Sequence, residues 1–91
     1  MADCIAAIST PMASGGVSMI RISGADALKV AAKVFIPKYP MRDIEKMDGY
    51  TAAYGDITAD GTKLDDGVLL IFRAPHSYTG ENTAEITCHG G

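Results

Sequence analysis

One dipeptide, Asp60-Gly61, restricts the fold more than any other feature of this chain. It stands between two runs of strand-forming residues, 51–58 and 63–73. Asp-Gly readily takes the positive-φ backbone of a tight hairpin turn, whose twist matches that of the flanking strands. Residues 59–61 therefore predict the turn of an antiparallel hairpin. Val68-Leu69-Leu70-Ile71-Phe72 is the expected buried centre of the second strand, and Tyr54 is an aromatic member of the first. Ala74-Pro75 breaks the second strand, because proline cannot donate to a ladder.

Further strands are predicted on both sides of this hairpin. Residues 4–9 are short and apolar and read as a first strand. After a loop of small residues at 11–16, residues 17–23 read as a second, apolar on both faces except for Arg21 and the serines. Such a strand belongs inside its sheet. A helix follows, with Ser23 as the predicted N-cap and Asp26 in the capping-box position. Leu28, Ala31, Ala32 and Phe35 give the helix one apolar face, while Lys29 and Lys33 lie on the other. Pro37 cannot continue a helix, which places its end near Phe35 or Ile36. Residues 38–49 are a polar connection with no predicted element. Residues 76–82 form a loop, and 84–88 alternate again as a fifth strand. The class is α+β, a small mixed or antiparallel sheet of about five strands with one packed helix.

The chain has 91 residues, enough for one small domain. Its net charge is −3 and its eight basic residues are scattered, which argues against this stretch gripping nucleic-acid phosphates alone. The start, Met1-Ala2-Asp3-Cys4, has no basic region and no long apolar run after it. Neither a signal peptide nor a membrane span is expected, which favours the cytosol. In that setting Cys4 and Cys88 are expected as thiols rather than as a disulfide. Gly90-Gly91 reads as the opening of a turn, so the chain is expected to be a piece of a longer protein.

Two residues are chemically conspicuous. Arg21 lies within an apolar strand, where a guanidinium is costly unless paired. It is either a clamp for a ligand's carboxylate or polar ring edge, or a partner of an internal acid such as Glu85. Glu85 alternates with Ala84 and Ile86, so it shares a side with Thr87 and His89. On a solvent-facing side it is an ordinary surface acid. On a side that lines a pocket, its carboxylate could accept two hydrogen bonds from a ligand's amino or ring N–H groups. No paired acids suggest hydrolysis, and no catalytic residue is identified. Cys4 and Cys88-His89 lack the spacing of a zinc site, and neighbours on a strand point to opposite faces, so neither metal nor thiol chemistry is expected. Ser14-Gly15-Gly16-Val17 could cradle an anion, but it runs into a strand rather than a helix, and no phosphate-binding lysine motif is present. Tyr78 and Phe72 could stack on a ligand ring, although core packing is the simpler role for Phe72.

The strings Ile5-Ala6-Ala7-Ile8-Ser9-Thr10-Pro11, Gly15-Gly16-Val17 and Ile20-Arg21-Ile22-Ser23-Gly24 resemble the start of the N-terminal domain of the MnmE, or TrmE, family of tRNA-modification GTPases. Ala74-Pro75-His76-Ser77-Tyr78-Thr79-Gly80-Glu81 and Glu85-Ile86-Thr87-Cys88-His89-Gly90-Gly91 resemble later parts of that domain, in the same order. The resemblance covers the whole chain. It implies a fold similar to the tetrahydrofolate-binding domain of the glycine-cleavage T-protein class. It also implies homodimerisation and a reduced folate, 5-formyl-tetrahydrofolate or a relative of it, as one-carbon donor. The family acts with the FAD-dependent partner MnmG. Together they build aminomethyl or carboxymethylaminomethyl groups on the wobble uridine of certain tRNAs.

By the same resemblance Arg21 and Glu85 are folate contacts. A GTPase domain that uses GTP, potassium and magnesium is carried elsewhere in such proteins, beside a helical domain. These two domains are expected to be absent from residues 1–91, which form a truncated folate-binding and dimerisation domain that does not bind tRNA alone. Many family members place an arginine in the loop before the glycine pair, where this chain has Met12-Ala13-Ser14. A different reading makes the domain a non-catalytic assembly module, with Arg21 and Glu85 as no more than a structural salt bridge.

Overall fold

The computed structural model of the chain describes residues 5–8, 18–39, 42–77 and 79–88. They form a six-stranded sheet in the order β1-β2-β6-β5-β4-β3. The strands are β1 (Ile5–Ile8), β2 (Ser18–Ser23), β3 (Phe35–Pro37), β4 (Thr51–Ala59), β5 (Thr62–Phe72) and β6 (Thr83–Cys88). All five neighbouring pairs run antiparallel. Among the described residues a single α-helix, α1 (Ala27–Val34), covers one face, together with a short 3₁₀ turn at Ile44–Lys46. The α+β expectation holds, and β3 adds a short strand to the five expected.

The hairpin is where the dipeptide placed it. Asp60 has φ 50° and Gly61 φ 80°, both in the left-handed region, and β4 pairs with β5 along its length apart from a bulge after Ile57. Strand alternation then sorts the side chains. Leu69 and Ile71 of β5 and Ala84 and Ile86 of β6 point towards α1 and are fully or almost fully buried. Ile22, Ala27, Leu28, Ala31, Phe35, Ile44, Met47 and Ala53 complete this core. Alanines at 27 and 31 let α1 lie close to the sheet.

Two expectations about α1 are corrected. Ser23 is not its N-cap: it is the last residue of β2, and its hydroxyl bonds Thr79. Asp26 occupies the N-cap position without a side-chain cap bond, so no capping box forms. Gly24, at φ 138°, separates strand from helix in a conformation other residues avoid. The helix ends at Val34 with Phe35 as its C-cap, near the expected place. Pro37 forces its predecessor out of helical backbone, and the free edge of β4 offers that extended segment a ladder, with Ile36 opposite Asp56. Phe35 remains buried in the core. Phe72, assigned to the core above, instead lies on the face away from α1, edge-to-face with Tyr50 at 6.1 Å.

Gly55 and Gly67 oppose one another on the helix-side face. A Cβ on Gly55 would sit 2.3 Å from the Ile36 carbonyl oxygen and 2.7 Å from Cε2 of Phe35. The absence of a side chain thus makes room for β3 and the Phe35 ring. Gly55→Ala is expected to destabilise the fold by about 1–3 kcal/mol. A chemical denaturation midpoint equal to that of the unsubstituted chain would contradict this close approach.

On the opposite face Asp56 and Asp66 are direct cross-strand neighbours, a repulsive arrangement by itself. Lys38 and Lys63 neutralise it, with Lys38 Nζ 2.8 Å from Asp56 Oδ1 and Lys63 Nζ 2.7 Å from Asp66 Oδ1. The hydrogen bond from Lys63 holds the Asp66 carboxyl below its usual range. Hydrogen bonds to Asp56 and Asp66 raise Lys38 and Lys63 respectively above the usual lysine value. The depressed Asp66 contributes stability that is present above its unfolded value of about pH 4 and is lost as pH falls through the folded one. The raised lysines contribute below about pH 10 and lose that contribution as pH rises through their folded values. Stability is therefore expected to be flat between these limits as far as this cluster is concerned, and Asp66→Asn to shallow the acid limb of a pH titration of the unfolding midpoint. An unchanged acid limb would remove the cluster from the account.

Candidate functional site at the Arg21–Glu85 pair

Strand β6 lies between β2 and β5, and its register sets Arg21 directly opposite Glu85. Glu85 is also opposite Leu70 of β5. All three lie on the face away from α1, because their neighbours Ile22, Ala84, Ile86, Leu69 and Ile71 occupy the core face. Arg21 Nε donates to Glu85 Oε2 at 2.8 Å, and Arg21 Nη2 lies 2.8 Å from the same oxygen. The side chains are 27% and 12% exposed respectively, so the pair is neither bulk-solvated nor sealed. Glu85 is thus not the ordinary surface acid of the first alternative, and the internal partner suggested for Arg21 is present.

These two contacts from Arg21 converge on one carboxylate oxygen. A carboxylate offers about four lone-pair directions and a guanidinium five N–H donors. These are the types of group that a polar ligand edge would address. Around it the same face carries Ser23 and Met19 on β2, Thr83 and Thr87 on β6, and Leu70 and Val68 on β5. Further along, Ile36, Tyr54 and Val68 are 55%, 53% and 40% exposed, giving this face an apolar stretch beside its charges.

The segment between β5 and β6 closes one end of the face. Gly24 N donates to the Asn82 carbonyl at 3.0 Å, and Asn82 Oδ1 accepts from Ala74 N at 2.9 Å, so the ends of the segment are tied together. Ser77 Oγ donates to the Glu81 carbonyl. Thr79 Oγ1 is 2.6 Å from Ser23 Oγ and 3.4 Å from Thr83 Oγ1. Two stretches distant in the chain, residues 21–24 and the described residues of 74–88, thereby meet at one place. Arg73 anchors the other side of the segment by donating to the Met47 and Glu45 carbonyls at 2.7 and 2.9 Å.

Sequence reasoning named Arg21 and Glu85 and missed the hydroxyls. Ser23 was placed at a helix cap, and nothing in the linear order couples it to Thr79. Arg73 gave no signal beyond ending a strand. Cys4, the Ser14-Gly15-Gly16 turn, the Met12-Ala13-Ser14 loop, Tyr78 and His89 lie outside the described residues, whereas Cys88 is a free thiol. Among the described residues no cluster of three or more His, Cys, Asp or Glu side chains could hold a metal ion, and no helix is long and apolar enough to cross a membrane.

Removing one member of the pair strands the other on a half-buried surface. Glu85→Ala is expected to cost about 1–2 kcal/mol, less than for a fully buried pair because water reaches Arg21. Arg21→Ala is expected to cost a similar amount, with the double variant less destabilised than the sum of the two. Strict additivity in urea denaturation would show that the two groups are not coupled.

Comparison with known proteins gives a consistent result. Residues 4–91 match the family model described as "GTP-binding protein TrmE N-terminus". A tRNA modification GTPase MnmE from Carboxydothermus hydrogenoformans is 46% identical over 93 residues, covering 100% of this chain and 20% of the relative. Proteins of the same name from Pediococcus pentosaceus and Flavobacterium psychrophilum are 47% and 49% identical, covering 98% and 97% of this chain and 19% of each relative. The chain thus spans about a fifth of the length of the curated relatives it matches.

Proposed function

We propose, from the premise that this chain belongs to the family of GTP-binding protein TrmE N-termini, that it is the folate-binding and dimerisation domain of a tRNA-modifying GTPase. The parent protein's role is modification of the wobble uridine, to the aminomethyl or carboxymethylaminomethyl form, in a cytoplasmic complex with the FAD-dependent protein MnmG. GTP, potassium and magnesium serve the GTPase domain, which lies outside residues 1–91, as does the helical domain. These residues hold no catalytic group of their own. Two copies of the domain form the homodimer, and tRNA is met by the complex rather than by this domain alone.

The observation that supports the folate reading is the partly exposed Arg21–Glu85 pair on the face away from α1, with residues 79–82 tied beside it. Bound there, 5-formyl-tetrahydrofolate or a related reduced folate supplies the one-carbon unit. Glu85 accepts from the amino and ring N–H groups of a pterin, and Arg21 donates to carbonyl or carboxylate oxygens. Leu70 supplies apolar surface next to them. The pair's partial exposure suits this role, since a fully buried pair would have to be dug out before binding.

A second reading has a specific observation behind it: the two side chains already satisfy each other at 2.8 Å. In that reading the pair is a structural salt bridge and the domain serves assembly alone. The backbone of β5 is covered on both sides, so the partner contacts would come from exposed side chains such as Val68 and Tyr54 and from the edge strands.

Titration of the parent protein with 5-formyl-tetrahydrofolate by calorimetry separates the two. Arg21→Ala and Glu85→Ala are each expected to weaken binding about tenfold or more, the loss of a charged hydrogen bond, with GTP hydrolysis nearly unchanged. Folate affinity unchanged in both variants would leave only the assembly reading.

A further inference from the structure

Three hydroxyls meet beside the ion pair, and their positions follow from the register. Ser23 is two residues from Arg21 on β2, and Thr83 is two residues from Glu85 on β6, so all four lie on one face. Ser23 and Thr83 are themselves cross-strand partners, 8% and 0% exposed. Thr79 reaches them from the loop, 2.6 Å from Ser23 Oγ and 3.4 Å from Thr83 Oγ1. A buried serine or threonine hydroxyl must find a partner or lose stability, whereas an apolar side chain of similar size in the same place carries no such demand. The bond also has direction: it fixes where the loop lies, which apolar packing would leave adjustable. Gly80, at φ 83°, lets the loop turn sharply just after Thr79.

We propose that Ser23 and Thr79 are positioning residues for the ligand site at Arg21 and Glu85. Their hydroxyl bond holds residues 79–82 in place as a preformed wall beside the pair, on the face away from α1. The inference rests on the folate reading above. Neither hydroxyl needs to touch the ligand. A loop released from β2 would have to be ordered again each time a ligand binds, and affinity falls by that cost. The backbone bond from Gly24 N to the Asn82 carbonyl holds the base of the loop in either case, so loss of the hydroxyl bond loosens residues 79–82 without unfolding the sheet.

The test uses Thr79→Val, Ser23→Ala, the double variant and Thr79→Ser in the parent protein. Amide hydrogen exchange of residues 79–82 without ligand, and calorimetric affinity for 5-formyl-tetrahydrofolate, are measured on each. Thr79→Val and Ser23→Ala are each expected to speed exchange and weaken affinity by about tenfold, as for loss of one hydrogen bond. The double variant is expected to be little worse than Thr79→Val alone, because Ser23→Ala removes a bond that Thr79→Val already removes. Thr79→Ser keeps the hydroxyl and is expected to retain both properties. Unchanged exchange in Thr79→Val overturns the hydroxyl link. Faster exchange with unchanged affinity overturns the positioning role while leaving the folate reading intact. No folate binding by the unsubstituted protein overturns the folate reading and the positioning role with it, and the exchange measurement then decides the hydroxyl link alone.

Discussion

The insertion of β6 between β2 and β5 is the interaction on which the rest depends. β1 with β2 and β4 with β5 are local pairings that close short connections. β6 instead reaches back to β2 across more than sixty residues, as in the pairing of Arg21 with Glu85. Without it the two ends of the sheet share no strand. The entropy of closing that long loop is offset by burial: Ala84 and Ile86 of β6 are 0% and 2% exposed, against Ile22 on one side and Leu69 and Ile71 on the other. A slip of one residue would bring Glu85 and Thr83 into the apolar core, so the register is strongly specified.

The same register assembles the candidate site. Alternation sends Ala84 and Ile86 to the core and leaves Thr83, Glu85 and Thr87 on the other face. The neighbouring strand sends Ile22 inward and Arg21 and Ser23 outward. Packing requirements on one side of the sheet therefore dictate which polar groups meet on the other. The face is not uniformly polar: exposed Ile36, Tyr54 and Val68 lie on it, and the Lys38, Lys63, Asp56 and Asp66 cluster borders it. That mixture is what a ligand with a polar edge and an aromatic body would meet, and equally what a second copy of the domain could cover.

Much of this was legible in the residues themselves. The Asp60-Gly61 turn, the strands read at 51–58 and 63–73 and the apolar stripe Leu28, Ala31, Ala32, Phe35 are local signals; the turn is realised, the strands are realised to within a residue, and of the stripe Phe35 reaches the core from β3 rather than from the helix. Local signals also misled. Ser23 followed by Asp26 has the form of a helix cap, yet β2 retains Ser23 because a partner in β6 and a hydroxyl in the loop compete for it and win. Residues 35–37 carry a helical stripe on one side and a proline on the other, and only the free edge of β4 converts them into a strand. Arg21 and Glu85 could be singled out because a charge amid apolar residues demands an explanation anywhere.

By itself the sequence determined the class of fold, the hairpin, the helix and the existence of an arginine and a glutamate in need of partners, together with the family that the motifs match. Those properties are written within a few consecutive residues, at the range of turns, strand alternation and helical periodicity. The tertiary structure alone decided that the two charged residues face each other, that Ser23 joins Thr79 and Thr83 rather than a helix, and that Gly55 yields its space to Phe35. Each of these depends on the register between strands distant in the chain, and register is set by how apolar side chains share one buried face, which no single segment encodes.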